Sequence, residues 1–491
     1  MGQPIDRDRF APEEYRRFAE RLEHGLEALG LLLARPGFGA GPPTVGAEVE
    51  LCIVDGNAAP HPVNARVLAG TADPRLDHEL NRFNLELNLP PVPLAGRPFA
   101  RLGVEMDDAL AAARRAAAPH RGRIAAIGIL PTLTPEDLQF SAMSDVSRYR
   151  ALADGLRRER RGPFQIHIHG PEPLVTETEE ITYEGACTSL QVHLRVQPEE
   201  FGALYNAAQM ATGPALAAAG NSPTFLGHRL WRETRVALFK QAVDARSGGG
   251  GPHPGRVSFG RRWLRGGVTD LFAAGVHGHP PLLPICSTED PLACVTAGGT
   301  PQLSELRLHS GTVWRWNRPV YEPGDGGHLR IEMRALPAGP TSRDMAANAA
   351  FLVGLTLGLA GDPAATPARF PYAWFHGNFY RAAQSGLEAR VRWPDPGGAV
   401  RQLGAAELLP ELVAVARRGL EDAGVKPAEV DEQLEVIAGR IRTGQTGAVW
   451  QVRQLAALEP RHGRAAALRE VVERYLALAD TGQPVHTWPV G

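Results

Sequence analysis

The sequence predicts an α+β fold with an antiparallel sheet and a helical C-terminal segment. Three observations carry this reading. Strand-like segments are separated by helices, but not in a regular β-α-β order. Those strands alternate strictly between apolar and polar residues, the period of a half-buried strand. After Gly404 the chain shows only Leu/Val stripes at helical spacing, as three or four helices to about Ala479.

The elements follow in chain order. Residues 11–34 read as an amphipathic helix, with Tyr15, Phe18, Leu22, Leu26 and Leu29 on one face. Arg35–Pro43 is a Gly/Pro loop. Thr44–Asp55 reads as a strand closed by the turn residues Asp55-Gly56-Asn57. Arg82–Leu89 reads as a strand stopped by Pro90-Pro91, and 97–118 as an Ala-rich helix. Phe164–His169 and Ser189–Val196 are strands, and Glu199–Ala219 and Trp231–Arg246 are helices. Ser247–Gly255 is a glycine-rich loop without hydrophobic pattern. Leu329–Leu336 is a strand, and Thr341–Leu359 a helix opened by Thr341 and Ser342.

Composition bounds the function. The chain has 491 residues, 43% hydrophobic, enough for a sizeable core. Its 52 Lys+Arg nearly cancel 54 Asp+Glu, and a net charge of -2 excludes a global nucleic-acid or acidic-membrane footprint. Four cysteines, Cys52, Cys187, Cys286 and Cys294, form no CxxC pair and no disulfide scaffold, which points to a reducing cytoplasm. The start of the chain has no basic-then-apolar signal pattern. The longest apolar run, Met345–Ala360, contains Asn348 and is too short for a membrane span. Only two lysines, Lys240 and Lys426, stand among the 52 basic residues, so lysine chemistry has two candidates.

The strands carry the chemistry. Glu48 and Glu50 are two apart and share a face, opposite Val49 and Leu51. Asn84, Glu86 and Asn88 share a face, as do Gln191, His193 and Arg195. Arg330, Glu332 and Arg334 alternate with Leu329, Ile331 and Met333, and Gln165, His167 and His169 follow the same rule. Any one such strand fits an ordinary wet sheet face. Together they do not, because these faces carry Glu, His, Gln, Asn and Arg, with no Lys and almost no Ser or Thr. Converging carboxylates repel unless cations sit between them, and carboxylates with imidazole and no thiolate favour Mg²⁺ or Mn²⁺. Arginine forks beside them suit phosphate or carboxylate oxygens. Metals and arginines on one concave sheet are what phosphoryl transfer requires. Other nucleotide signals are absent: there is no GxxxxGK[ST], and Gly37–Gly41 precedes a strand instead of following one. HExxH and GxSxG are also absent.

In order along the chain stand Gly46-Ala47-Glu48-Val49-Glu50-Leu51, Leu85-Glu86-Leu87-Asn88, Thr188–His193, Asn221-Ser222-Pro223 and Arg330-Ile331-Glu332-Met333-Arg334. This set resembles the glutamate–cysteine ligases, in the branch that includes the carboxylate–amine ligases. Thr312–Pro319 and Thr446–Arg453 are similar to the same family, so the resemblance spans roughly Val45 to Arg453. It implies a glutamine-synthetase-like fold: a curved, mainly antiparallel sheet with helices on the convex face and the active site on the concave one. It divides the chain into a catalytic domain, 1–400, and a helical extension, 401–491, packed on it. The implied reaction is ATP-dependent. The γ-carboxylate of glutamate attacks the γ-phosphate of ATP, and the amine of cysteine then displaces phosphate, giving γ-glutamylcysteine as in glutathione biosynthesis.

The resemblance also implies roles. Glu48, Glu50, Glu79, Glu86 and Glu332 match metal-binding carboxylates, for Mg²⁺ or Mn²⁺. His193 matches a metal or nucleotide-phosphate contact, with Gln191 and Arg318 beside it at the nucleotide. Arg334, with Arg330, matches the transferred phosphate. Arg235 or Arg232 would hold the substrate carboxylate, against a surface ion pair as the competing reading for Arg235 and Arg318. A ligase of the same chemistry with another amine acceptor is the first alternative. A non-catalytic nucleotide- or amino-acid-binding relative is the second, and a phosphotransferase to a guanidino group a distant third. The partners expected are small molecules, with neither nucleic acid nor membrane.

Overall fold

The computed structural model describes residues 5, 7–246, 254–362, 367–395 and 397–490. Residues 247–253 of the glycine-rich loop lie outside the described residues. The central sheet is antiparallel throughout, in the order β10 (Asn317–Glu322), β11 (His328–Pro337), β7 (Ser189–Val196), β1 (Thr44–Val54), β3 (Asn84–Pro93) and β2 (Leu76–His78). A short β4 (Arg123–Ala125) pairs with the end of β1. The minor hairpins are β5–β6 (Phe164–Ile168, Leu174–Thr178), β8–β9 (Thr224–Phe225, His228–Arg229) and β12–β13 (Arg390–Pro394, Val400–Gly404). The predicted α+β class with a curved antiparallel sheet therefore holds.

Alternation fixes which face does what. Val49, Leu51, Leu85, Leu87, Leu190, Val192, Leu194, Ile331 and Met333 are buried. Helices Pro98–Ala117, Phe201–Ala219 and Ser342–Ala360 cover that face. The last two are apolar nearly all round, as fully buried helices are. Burying a Leu or Val side chain contributes about 1.5–3 kcal/mol, so this layer dominates the stability of the sheet. The opposite face is left to the polar residues.

Several expectations need correction. The β3 strand runs through Pro90-Pro91 to Pro93 instead of stopping there, because the register with β1 shifts between Val45 and Ala47, where a bulge tolerates proline. The sequence offered no signal for β10, whose Pro319 disfavours a central strand; as the edge strand it needs no second ladder. Phe164–Ile168 belongs to its own hairpin. Gln165 and His167 face solvent there, so for this strand the wet-face reading was right. The helix expected over Trp231–Arg246 is shorter, Arg235–Ala242.

The C-terminal helices are keyed into the rest of the chain. Arg440 is buried, donates to Asp344 at 2.7 Å and to Asn348 at 2.6 Å, and reaches the carbonyl of Ala218 at 3.0 Å. Asn221 donates to Tyr475 at 2.8 Å and accepts from Gln451 at 2.9 Å. Gly447 permits that approach, since a Cβ there would collide with the Asn221 amide. The Asn221-Ser222-Pro223 and Thr446–Arg453 segments thus meet each other, and their part is architectural. Among the described residues no helix is long and apolar enough to cross a membrane.

Candidate active site

The polar face of the sheet forms one wall of a cleft of about 710 Å³. Glu48, Glu50, Glu79, Glu86, Gln191, His193, Arg318, Arg330, Glu332 and Arg334 all line it. The sheet register explains the gathering. Glu50 lies directly across from Glu86, and Glu86 across from Asp77, so three adjacent strands set three carboxylates in a row. Glu332 lies across from His193. Like charges directly opposite on a sheet are destabilising, which singles this row out from a chance surface.

A chain of hydrogen bonds runs along the same face. Arg318 grips Glu332 with Nε at 2.8 Å and Nη2 at 2.6 Å. Arg334 donates to the other oxygen of Glu332 and to the Gln191 side-chain carbonyl. Gln191 donates to Glu50 at 2.9 Å, and the Ser189 amide donates to the second Glu50 oxygen at 2.7 Å. His193 Nε2 lies 3.2 Å from Glu48 Oε1. Arg330 pairs with Glu322 at 3.3 Å.

The electrostatics differ from one end to the other. Burial pushes Glu332 up, but Arg318 and Arg334 outweigh it and hold the carboxyl far below its ordinary value. Burial likewise opposes ionisation of Glu48, and His193 reverses the balance, bringing it to about 2. At the acidic end compensation falls short of the cost of burial. Burial, then the charge of Glu48, pushes Glu86 up to about 8. Burial and the charges of Glu50, Glu86 and Glu184 raise Glu79 well above the carboxylate range, and burial raises Glu50.

These groups suit a divalent cation. The donors are carboxylates and one imidazole, without thiolate. His193 Nδ1 is buried without a hydrogen bond while Nε2 faces Glu48, and Glu50 and Glu86 stand directly across from each other. Among the described residues no three His, Cys, Asp or Glu side chains converge closely enough to hold an ion as they stand. Glu332 differs from the rest of the expected ligand set, because both its oxygens are engaged by guanidinium groups.

Arg235 and Arg232 are not brought to the cleft. Arg235 is buried against Glu233 at 3.1 Å and the Ala335 carbonyl at 3.2 Å. Arg232 reaches Glu388 at 3.2 Å. Arg235 does pair with a carboxylate, but the pair is buried and not the surface ion pair of the competing reading. The cleft instead holds Asp77, Arg148, Tyr149 and Glu184, which the sequence reading missed. Asp77 sits on a three-residue strand, Arg148 on the helix Ser147–Arg160 and Glu184 on a 3₁₀ turn. The strand and the turn are too short to announce a face, and Arg148 stands in the first turn of its helix. Arg148 Nη1 is buried without a partner, and burial, with Arg318 nearby, disfavours its charge.

One pH dependence follows. In a chelator, Glu86 has a folded value near 8 against about 4.3 unfolded. Its stabilising contribution is complete below the unfolded value and is lost as pH rises through 8, because the native state then holds a proton that the unfolded state has released. The melting temperature in EDTA is expected to fall from pH 5 to pH 8.5, and saturating Mg²⁺ to flatten that fall. Identical curves with and without Mg²⁺ would contradict the cation reading of the acidic end.

Residues 44–474 match the family described as Glutamate-cysteine ligase family 2 (GCS2). The glutamate–cysteine ligase (gshA) from Francisella tularensis, solved in complex with AMP, is similar in fold, with a TM-score of 0.56 and 12% identity over 92% of this chain and 91% of that one. A bifunctional glutathione synthetase from Pasteurella multocida has a TM-score of 0.45 and 14% identity over 94% of this chain and 55% of that one. No curated protein matches the chain.

Proposed function

The chain belongs to Glutamate-cysteine ligase family 2 and is a carboxylate–amine ligase, and from that premise we propose that it joins the γ-carboxylate of glutamate to the amine of cysteine at the expense of ATP. The observation that carries this reading is the single cleft in which a row of buried carboxylates meets a cluster of arginines. The AMP bound by the Francisella protein supports a nucleotide in this fold.

Glu48, Glu50 and Glu86, with Glu79 and His193, would hold Mg²⁺ or Mn²⁺. When bound, the cation neutralises charge on the transferring phosphoryl group. Arg334 is positioned by Glu332 and Gln191, and its fork is oriented before substrate arrives. It would stabilise the transferred phosphate, with Arg330 and Arg318 beside it toward the nucleotide. Arg148, with an unpartnered buried N–H, is placed to hold the carboxylate of an amino-acid substrate. An acyl phosphate would have to be kept from water until the amine arrives, because water would otherwise consume it.

The test is ATP consumption with product mass analysis. With glutamate and Mg²⁺ alone, turnover is expected to be slow, and cysteine is expected to raise it markedly with release of γ-glutamylcysteine. A rise with a different amine, and none with cysteine, would make the chain a ligase of the same chemistry for that acceptor. No response to any amine or amino acid would overturn the proposed substrates.

A further inference from the structure

Most carboxylates of the cleft have a partner. Glu48 has His193, Glu50 has Gln191 and the Ser189 amide, Glu86 has Asn88, and Glu332 has two arginines. Glu184 lines the same cleft, yet among the described residues its side chain makes neither a hydrogen bond nor an ion pair.

The turn that carries it is held rigidly. Asn81 donates to the Thr182 carbonyl at 2.9 Å, Thr182 donates to Leu138, and the Cys187 amide closes on the Glu184 carbonyl at 2.8 Å. Gly185 is pressed against Asn81, where a Cβ would come within 2.6 Å of the amide nitrogen. Ile181, buried, lines the cleft on the same turn and lowers the local polarity. A carboxylate fixed beside an apolar wall with no partner in contact, and only the more distant charge of Arg334 in its favour, is a receptor for a cation that arrives with substrate.

We propose that Glu184 receives a primary ammonium group of a substrate. A divalent ion draws on several oxygens at once, and Asp77, Glu86 and Glu50 stand in one cross-strand row. Glu184 stands off that row, on the turn before β7. One carboxylate matches one ammonium: a single charge and an acceptor for its N–H groups. The inference rests on the ligase reading, in which both glutamate and the acceptor amine carry such a group.

The test compares Glu184→Gln and Glu184→Asp with the unaltered full chain. In the ATP assay, Glu184→Gln is expected to raise the KM of one substrate about tenfold or more, leaving its half-saturating Mg²⁺ unchanged, and Glu184→Asp to recover part of that loss. A rise confined to glutamate assigns its α-ammonium; a rise confined to the acceptor assigns the incoming amine. Calorimetry reads binding without turnover, using glutamate, glutarate (which lacks the ammonium) and each amine. For a donor site, Glu184→Gln is expected to weaken glutamate and leave glutarate unchanged. Unchanged KM and affinity for both substrates, or a shift only in the Mg²⁺ requirement, would overturn the proposal. Binding by the unaltered chain with no ATP turnover would sink the ligase substrates while still deciding Glu184.

Discussion

Arg334→Met is expected to lower kcat by about 10²–10³-fold, the cost of removing one preorganised donor at a developing anion. Arg334 is held between Glu332 and Gln191, so its orientation is fixed by the protein and not by the substrate. Arg334→Lys keeps the charge but loses the fork, and is expected to recover only a small part of the rate. A merely structural role would lower the melting temperature and scale activity with the folded fraction. The discriminating result is therefore a full loss of turnover at a temperature where the variant remains folded, with the KM for ATP changed much less than kcat. Near-normal turnover would remove Arg334 from the chemistry.

The largest stability effect is expected far from the cleft. Arg440→Met should cost about 3–5 kcal/mol, because it leaves the Asp344 carboxylate buried without its cation. Asp344 also accepts from the Val485 amide at 3.1 Å, so the loss reaches the last segment of the chain. Replacing both partners with apolar residues should cost less than the sum of the two single changes. A denaturant series checks this, and additive single effects would show that the pair is not coupled.

The cleft was partly legible in the sequence. A period of two placed Glu48 with Glu50 and Arg330 with Glu332 and Arg334, and a strand keeps such residues on one face whatever its neighbours do. Strand order was not legible, so nothing in the sequence said that Glu50 would stand opposite Glu86, or Glu332 opposite His193. Asp77, Arg148 and Glu184 escaped because a three-residue strand, a helix start and a 3₁₀ turn carry no usable period. Arg235 illustrates the converse. Expected at the substrate, it lies buried against Glu233, away from the cleft lining. The segments around Asn221 and Thr446 belong with it, since packing needs fix residues as firmly as chemistry does.

The sheet register also sets an order of assembly during synthesis. Strands β1, β2 and β3, which bring the acidic row, lie within residues 44–93, whereas the arginines of β10 and β11 come from residues 317–337. Roughly 220 residues separate the two, so at about 5–20 residues per second the ribosome needs on the order of ten to forty seconds to deliver the second group. During that interval the carboxylates of the acidic row lack the arginines of β10 and β11 as neighbours. Once β11 docks on β7 and closes the sheet, Glu50 and Glu86 lose water together. The demand for protons or cations is therefore completed only after residues 317–337 have been made, long after the carboxylates that carry it.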